Sequence, residues 1–154
     1  MEIERKFLVD SEPDEEPSRS GEIEQGYLAL ADDDGGAEVR LRRWGEGQVL
    51  TVKGGTGRVR TEEEVAIERE VFESLWPLTE GRRVAKTRHV IPYRELEIEL
   101  DVFGGELEGL RIAEVEFPDE RSANEFEPPS WFGEEVTGNR RYLNETLATA
   151  GAQS

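Results

Sequence analysis

Apolar and polar residues alternate along most of this chain. Ile3, Arg5 and Phe7 share one parity of residues 2–9 and Glu2, Glu4 and Lys6 the other, so in an extended segment the two sets fall on opposite faces. The same period of two recurs over residues 22–31, 38–44, 48–54, 58–68, 82–92, 96–103 and 110–117, each run closed by turn chemistry such as Asp32-Asp33-Asp34-Gly35-Gly36 or Gly45-Glu46-Gly47. Around residues 69–78 the period lengthens. Val71, Phe72, Leu75 and Trp76 there predict a short amphipathic helix ended by Pro77 and Gly81. Residues 118–125 fit a second short helix before Pro128-Pro129, and a brief strand and a terminal helix follow Trp131. Residues 10–21, rich in acid, Pro and Ser, read as an exposed loop with no packing face. The expected class is α+β: a mainly antiparallel sheet of about eight strands with a few short flanking helices.

The polar faces of these strands carry almost only full charges. Arg40 with Arg42, Lys53, and Lys86 with Arg88 make positive faces; Glu2 with Glu4, Glu62 with Glu64, Glu99 with Asp101, and Glu114 with Glu116 make negative ones. Water alone would accept Ser, Thr, Asn or Gln there equally well. If the sheet closes into a barrel with those faces inward, opposite charges cross a shared interior and the apolar faces point outward beneath helices and loops. Such an interior is costly to desolvate unless it stays wet and its charges meet counter-charges, which divalent cations and a polyphosphate would provide. The competing arrangement is an ordinary sandwich with salt-bridged solvent faces.

Composition narrows the chemistry. At 154 residues the chain is expected to form one domain, and a net charge of −17 argues against nucleic-acid or anionic-membrane partners. Any polyanionic ligand therefore needs a locally basic pocket. With no Cys and one His, thiolate sites, disulfides and His-based metal clusters are excluded. No apolar run approaches a membrane span and no apolar signal core opens the chain, so a cytoplasmic location is expected. Gly54-Gly55-Thr56-Gly57 lacks the Gly-Lys-Ser/Thr ending of a phosphate loop, and Asp32 to Asp34 lack the later ligands of an EF-hand. Of 19 basic residues only three are lysines, at positions 6, 53 and 86, and each falls within a charged strand.

Glu2-x-Glu4-x-Lys6, followed by Gln25-Gly26-Tyr27-Leu28, Val39-Arg40-Leu41-Arg42, Thr51-Val52-Lys53-Gly54, Arg60-x-Glu62-x-Glu64, Lys86-Thr87-Arg88, Asp101-Val102-Phe103, Ala113-Glu114-Val115-Glu116-Phe117 and Arg141-Tyr142-x-Asn144, resembles the CYTH family, or triphosphate tunnel metalloenzymes, in its short bacterial form. The resemblance spans nearly the whole chain. It departs at Asn139-Arg140, where an Asp is more usual, and this bears on the phosphate contact of Arg141.

This resemblance implies an eight-stranded closed barrel, or tunnel, with a charged interior, and chemistry on a triphosphate with Mg²⁺ or Mn²⁺. Carried over to matching positions, Lys6, Arg40, Arg42, Lys53, Lys86, Arg88 and Arg141 would hold phosphate oxygens. Glu2, Glu4, Glu62, Glu64, Asp101, Glu114 and Glu116 would bind metal or position water, with Glu4, Lys6, Glu114 and Glu116 as the catalytic group. All-oxygen ligation independently favours hard cations. The implied activity is hydrolysis of inorganic tripolyphosphate by metal-activated water. Adenylyl cyclase, nucleoside or thiamine triphosphatase activity, and a non-catalytic polyphosphate-binding module, are the alternatives. The cyclases of this fold carry a His-Phe pair ahead of Glu-x-Glu-x-Lys for which this sequence has no room. The implied partner is a small triphosphate, and a homodimer is the assembly left open.

Overall fold

Period-two alternation resolves into nine strands in a computed structural model of the chain, which describes residues 3–30, 36–54 and 61–150, with the backbone alone at 140, 145 and 150. In chain order these are β1 (Ile3–Val9), β2 (Arg19–Ala29), β3 (Glu38–Trp44), β4 (Gly47–Gly54), β5 (Thr61–Ala66), helix α1 (Arg69–Leu75), β6 (Arg83–Tyr93), β7 (Leu96–Phe103), β8 (Arg111–Phe117), helix α2 (Glu120–Glu125), β9 (Phe132–Glu135) and helix α3 (Asn144–Ala150). Two compact units result: residues 1–21 with 86–142, and residues 22–85 with 143–154.

In the first unit the strand order is β6-β7-β8-β1-β9, with Lys6 opposite Glu114, Glu4 opposite Glu116, Glu99 opposite Glu114 and Arg88 opposite Asp101. This register follows from the pleat, because a slip of one residue would turn every apolar side chain to the wrong face. Ile91, Ile98, Leu100, Ala113, Val115 and Phe117 form the buried face and pack with Ala123 and Trp131. Asp119 caps α2 by accepting a hydrogen bond from the Ser122 backbone N–H at 2.7 Å. Residues 10–21 are mostly exposed, as expected, but 19–21 already belong to β2 and polar anchors hold the rest: Trp131 Nε1 donates to Glu15, Arg111 bridges Glu12, and the Ser18 backbone N–H donates to the Val90 carbonyl at 2.8 Å. Their own lack of apolar residues hid this, since the anchors come from partners distant in sequence.

Arg5, on the apolar face of β1, is a clamp. Its guanidinium donates to both Glu135 oxygens at 2.9 and 2.6 Å and to the Ala123 carbonyl at 2.8 Å, and it lies 5.2 Å from the Phe7 ring centroid. The Glu135 pair is partly exposed and contributes modestly; the carbonyl left without its donor and the lost packing dominate. Arg5→Ala is expected to lower unfolding free energy by about 1–2 kcal/mol while leaving kcat unchanged, which urea unfolding and an activity assay check together.

The second unit carries β5-β4-β3-β2. Gln25 pairs with Arg42, Tyr27 with Arg40, Thr51 with Glu64 and Lys53 with Glu62. On the other face Arg43 stacks over the Phe72 ring of α1 at 4.3 Å. Gly26 faces the turn after α1, where a Cβ would meet Thr79 Oγ1 at 2.6 Å and Trp76 Cζ3 at 2.9 Å. That close approach explains the glycine in Gln25-Gly26-Tyr27-Leu28. The apolar side of β5 is not covered as its pattern suggested: Val65 is 53% exposed.

The sheet is mainly antiparallel with short helices, as expected, but its barrel is not closed by hydrogen bonds. β5 is paired on one side, with β4, and β9 on one side, with β1, among the described residues. Among the described residues the ninth strand, β9, is the brief strand expected after Trp131. Among the described residues no helix is long and apolar enough to cross a membrane.

Candidate active site

The charged face of the first unit brings together half of the sequence-derived candidates. β1 supplies Glu4 and Lys6, β8 Glu114 and Glu116, β7 Glu99 and Asp101, and β6 Lys86 and Arg88. Alternation in four neighbouring strands places them on one surface, and the register sets who meets whom.

Glu4 and Glu114 are diagonal neighbours whose carboxyl groups share a hydrogen bond. Burial pushes the Glu114 carboxyl up, but the hydrogen bond from Glu4 and the charges of Lys6 and Arg88 outweigh it and hold Glu114 below the usual carboxylate range. Two carboxylates in contact cannot both ionise cheaply, so either a proton or a cation must lie between them. Lys6 also donates to the Tyr142 carbonyl at 3.3 Å. Glu116, exposed, sits across the ladder from Glu4.

Asp101 is the most heavily engaged carboxylate. Arg88 Nε donates to Oδ1 at 2.8 Å and Nη2 to Oδ2 at 3.0 Å, a two-point fork, and Lys86 Nζ donates to Oδ2 at 2.7 Å. Arg88 Nη1 also donates to Glu99 Oε2 at 2.9 Å. Burial raises the Asp101 carboxyl, yet Lys86 first and then Arg88 bring it below its ordinary value. Burial likewise disfavours charge on Arg88, but Asp101, Glu99 and Glu114 hold it firmly protonated. The Lys86 side chain is 0% exposed, with Nζ 5.4 Å from the Phe103 ring centroid. Glu99 was named in sequence as a negative-face residue but not as a ligand; its parity with Asp101 was the signal.

The second unit presents its own charged face. Gln25, fully buried, receives a hydrogen bond from Arg42 Nε on Oε1 at 2.8 Å and donates from Nε2 to the Tyr27 hydroxyl at 2.8 Å. Sequence reading assigned Gln25 no role, although it shares the parity of Tyr27 and lies opposite Arg42. Arg40 donates weakly to Thr51 Oγ1 at 3.5 Å, and its buried Nε has no partner among the described residues. Lys53 lies 3.7 Å from Glu62, both partly exposed, and Glu64 is exposed. A buried, satisfied amide at Gln25 close to the under-satisfied Arg40 guanidinium suits recognition of an anion's oxygens.

Several residues need separate mention. Glu2 and Arg60 lie outside the described residues, as do Asp32 to Asp34. Arg141 is exposed, its guanidinium 5.8 Å from the Tyr142 ring centroid, and its backbone N–H donates to Asn139 Oδ1 at 3.0 Å. An amide oxygen thus performs the turn-capping role at the site where the sequence departs from the family pattern. His89, on the face opposite the charges, shares a hydrogen bond with Ser20 Oγ at 2.7 Å.

The CYTH domain family matches residues 1–149. An inorganic triphosphatase of Nitrosomonas europaea is 49% identical over 149 residues, covering 96% of each chain. One from Acetivibrio thermocellus is 38% identical over 95% of this chain and 92% of its own. The crystal structure of the inorganic triphosphatase NE1496 superposes with a TM-score of 0.78 at 45% identity, covering 97% of this chain and 95% of that one. At 20% identity the protein PH1819 from Pyrococcus horikoshii, with a TM-score of 0.56 and 99% of both chains covered, shares the fold. An antiparallel sheet whose polar faces are built from paired carboxylates and paired cations, matched from residue 1 to 149, places this chain in the CYTH family.

Proposed function

We propose that this chain is an inorganic triphosphatase, hydrolysing tripolyphosphate to phosphate and diphosphate. The observation that carries the reading is the contact between Glu4 and Glu114 beside Lys6 and Arg88: carboxylates paired for a cation, next to cations placed for phosphate. Membership of the CYTH family implies dependence on a divalent metal ion. Among the described residues no three His, Cys, Asp or Glu side chains form a ready-made metal cage. Two carboxylates suit Mg²⁺ or Mn²⁺ better than an all-protein site, because such ions are commonly held by one or two carboxylates together with substrate phosphates. Glu4 and Glu114 would hold it, and when bound it would lower the pKa of water and neutralise phosphate charge.

The protein's own part is positioning and charge. Phosphoryl transfer needs in-line geometry and electrostatic stabilisation more than covalent help, so no phosphoenzyme is required. On the first unit's charged face Lys6 and Arg88 hold phosphate oxygens; the second unit's own face offers Arg40, Arg42 and Lys53 for the same chemistry, with Glu62 balancing Lys53. Water adds to the terminal phosphorus, the bond to the diphosphate oxygen breaks, and the water's proton passes to a carboxylate, for which exposed Glu116 beside Glu4 is best placed. The cationic side chains then stabilise the departing diphosphate.

Purified protein assayed against tripolyphosphate, ATP and thiamine triphosphate should release phosphate mainly from tripolyphosphate, only with added Mg²⁺ or Mn²⁺. Turnover in excess chelator, or tight tripolyphosphate binding without hydrolysis, would overturn the assignment.

A further inference from the structure

Among the carboxylates of the first unit's charged face, Asp101 differs from its neighbours. Glu4 and Glu114 face one another carboxyl to carboxyl, whereas Asp101 accepts three hydrogen bonds from two cations, two from Arg88 and one from Lys86. A carboxylate offers about four lone-pair sites. Three are taken here, and any divalent ion approaching the fourth would have to sit against an ammonium and a guanidinium. The same fork dictates where Arg88 points. Its Nε–Nη2 edge is fixed on Asp101 and its Nη1 on Glu99, and its charge is thereby held close enough to be felt at Glu114. The side chains of Asp101 and Lys86 are 8% and 0% exposed, so this orientation is set from beneath and not by solvent.

We infer that Asp101 is a positioning residue and not a metal ligand: it orients Arg88, with Lys86 as the second clamp, beside the Glu4–Glu114 pair. The inference rests on the triphosphatase reading, since it concerns how that reaction's phosphate-binding arginine is aimed.

Wild-type protein is first assayed for Mg²⁺-dependent phosphate release; its failure would sink the functional reading and not this one. In Asp101→Asn, which keeps the shape and loses the second acceptor and the charge, kcat/KM for tripolyphosphate should fall by roughly 30–100-fold. The Mg²⁺ concentration giving half-maximal activity should stay within about twofold of wild type while the KM for tripolyphosphate rises, a split that simple loss of folded protein, lowering the maximal rate alone, would not imitate. Added to Arg88→Ala, the same substitution should cost less than about threefold more, because its effect passes through Arg88. A tenfold or greater rise in the Mg²⁺ requirement, or losses that multiply in the double variant, would overturn the proposal. Should Asp101→Asn not fold, wild-type crystals grown with Mn²⁺ and tripolyphosphate decide the matter by anomalous scattering. Asp101 oxygens still on Arg88 and Lys86 support it, and a Mn²⁺ within about 2.5 Å of either oxygen refutes it.

Discussion

Glu114→Gln is expected to lower kcat/KM for tripolyphosphate by about two to three orders of magnitude, equivalent to roughly 3–4 kcal/mol of transition-state stabilisation. The amide is nearly isosteric, so the change is one of charge. Glu114 is held anionic despite its burial, by the Glu4 hydrogen bond and by Lys6 and Arg88. Without that charge the pair no longer calls for a cation, and Lys6, directly opposite on β1, loses its cross-strand counter-charge. Thermal stability should fall modestly, because a carboxylate held below its ordinary range contributes stability at neutral pH that the amide cannot supply. Activity within threefold of wild type, at an unchanged Mg²⁺ requirement, would remove Glu114 from the site. Steady-state kinetics across a Mg²⁺ series, alongside a thermal melt, makes that distinction.

Lys86→Ala is expected to cost about 3 kcal/mol of unfolding free energy, in addition to any loss of activity. Breaking a buried ion pair leaves its partner charged and unsatisfied, and Lys86 is fully enclosed with Asp101 at 2.7 Å. The fork from Arg88 keeps the cost at the lower end of that range. Lys53→Ala should change stability by less than about 0.5 kcal/mol, because Lys53 and Glu62 are 33% and 47% exposed and 3.7 Å apart. Read as strand-face lysines alone, Lys6, Lys53 and Lys86 would be interchangeable, and removing any of them would leave the fold intact; burial separates Lys86. The lowered Asp101 carboxyl adds a pH signature. A depressed folded-state value means its contribution is complete above the ordinary Asp value of about 3.9 and is lost as pH falls through the folded one. Urea unfolding at pH 7 and pH 3 should therefore show a smaller acid loss in Asp101→Asn than in wild type. Equal stability losses in Lys86→Ala and Lys53→Ala would show that the enclosed pair contributes nothing beyond a surface one.

Strand chemistry was legible in the sequence wherever one face is apolar and the other charged. Ile98 and Leu100 against Glu99 and Asp101, or Ala113 and Val115 against Glu114 and Glu116, can satisfy both faces only when extended. The charged set of the site, from Glu4 and Lys6 to Arg88 and Glu114, follows from that parity alone. Parity says nothing about depth. Lys86, Arg88 and Asp101 look like any other alternating charges, and only the packed sheet shows that one lysine is enclosed while Lys53 reaches solvent. Gln25 carries no charge to mark it, and its link between Arg42 and Tyr27 depends on a register set by β3, nearly twenty residues away. Arg5 stands at an apolar parity, and its partners Glu135 and Ala123 come from the far end of the unit. Local alternation determined which residues could share a face, because the pleat is a property of the backbone. Which charges are buried, which neutralise one another and which are left to meet a ligand depends on partners brought together from distant segments, and only the tertiary structure decided that.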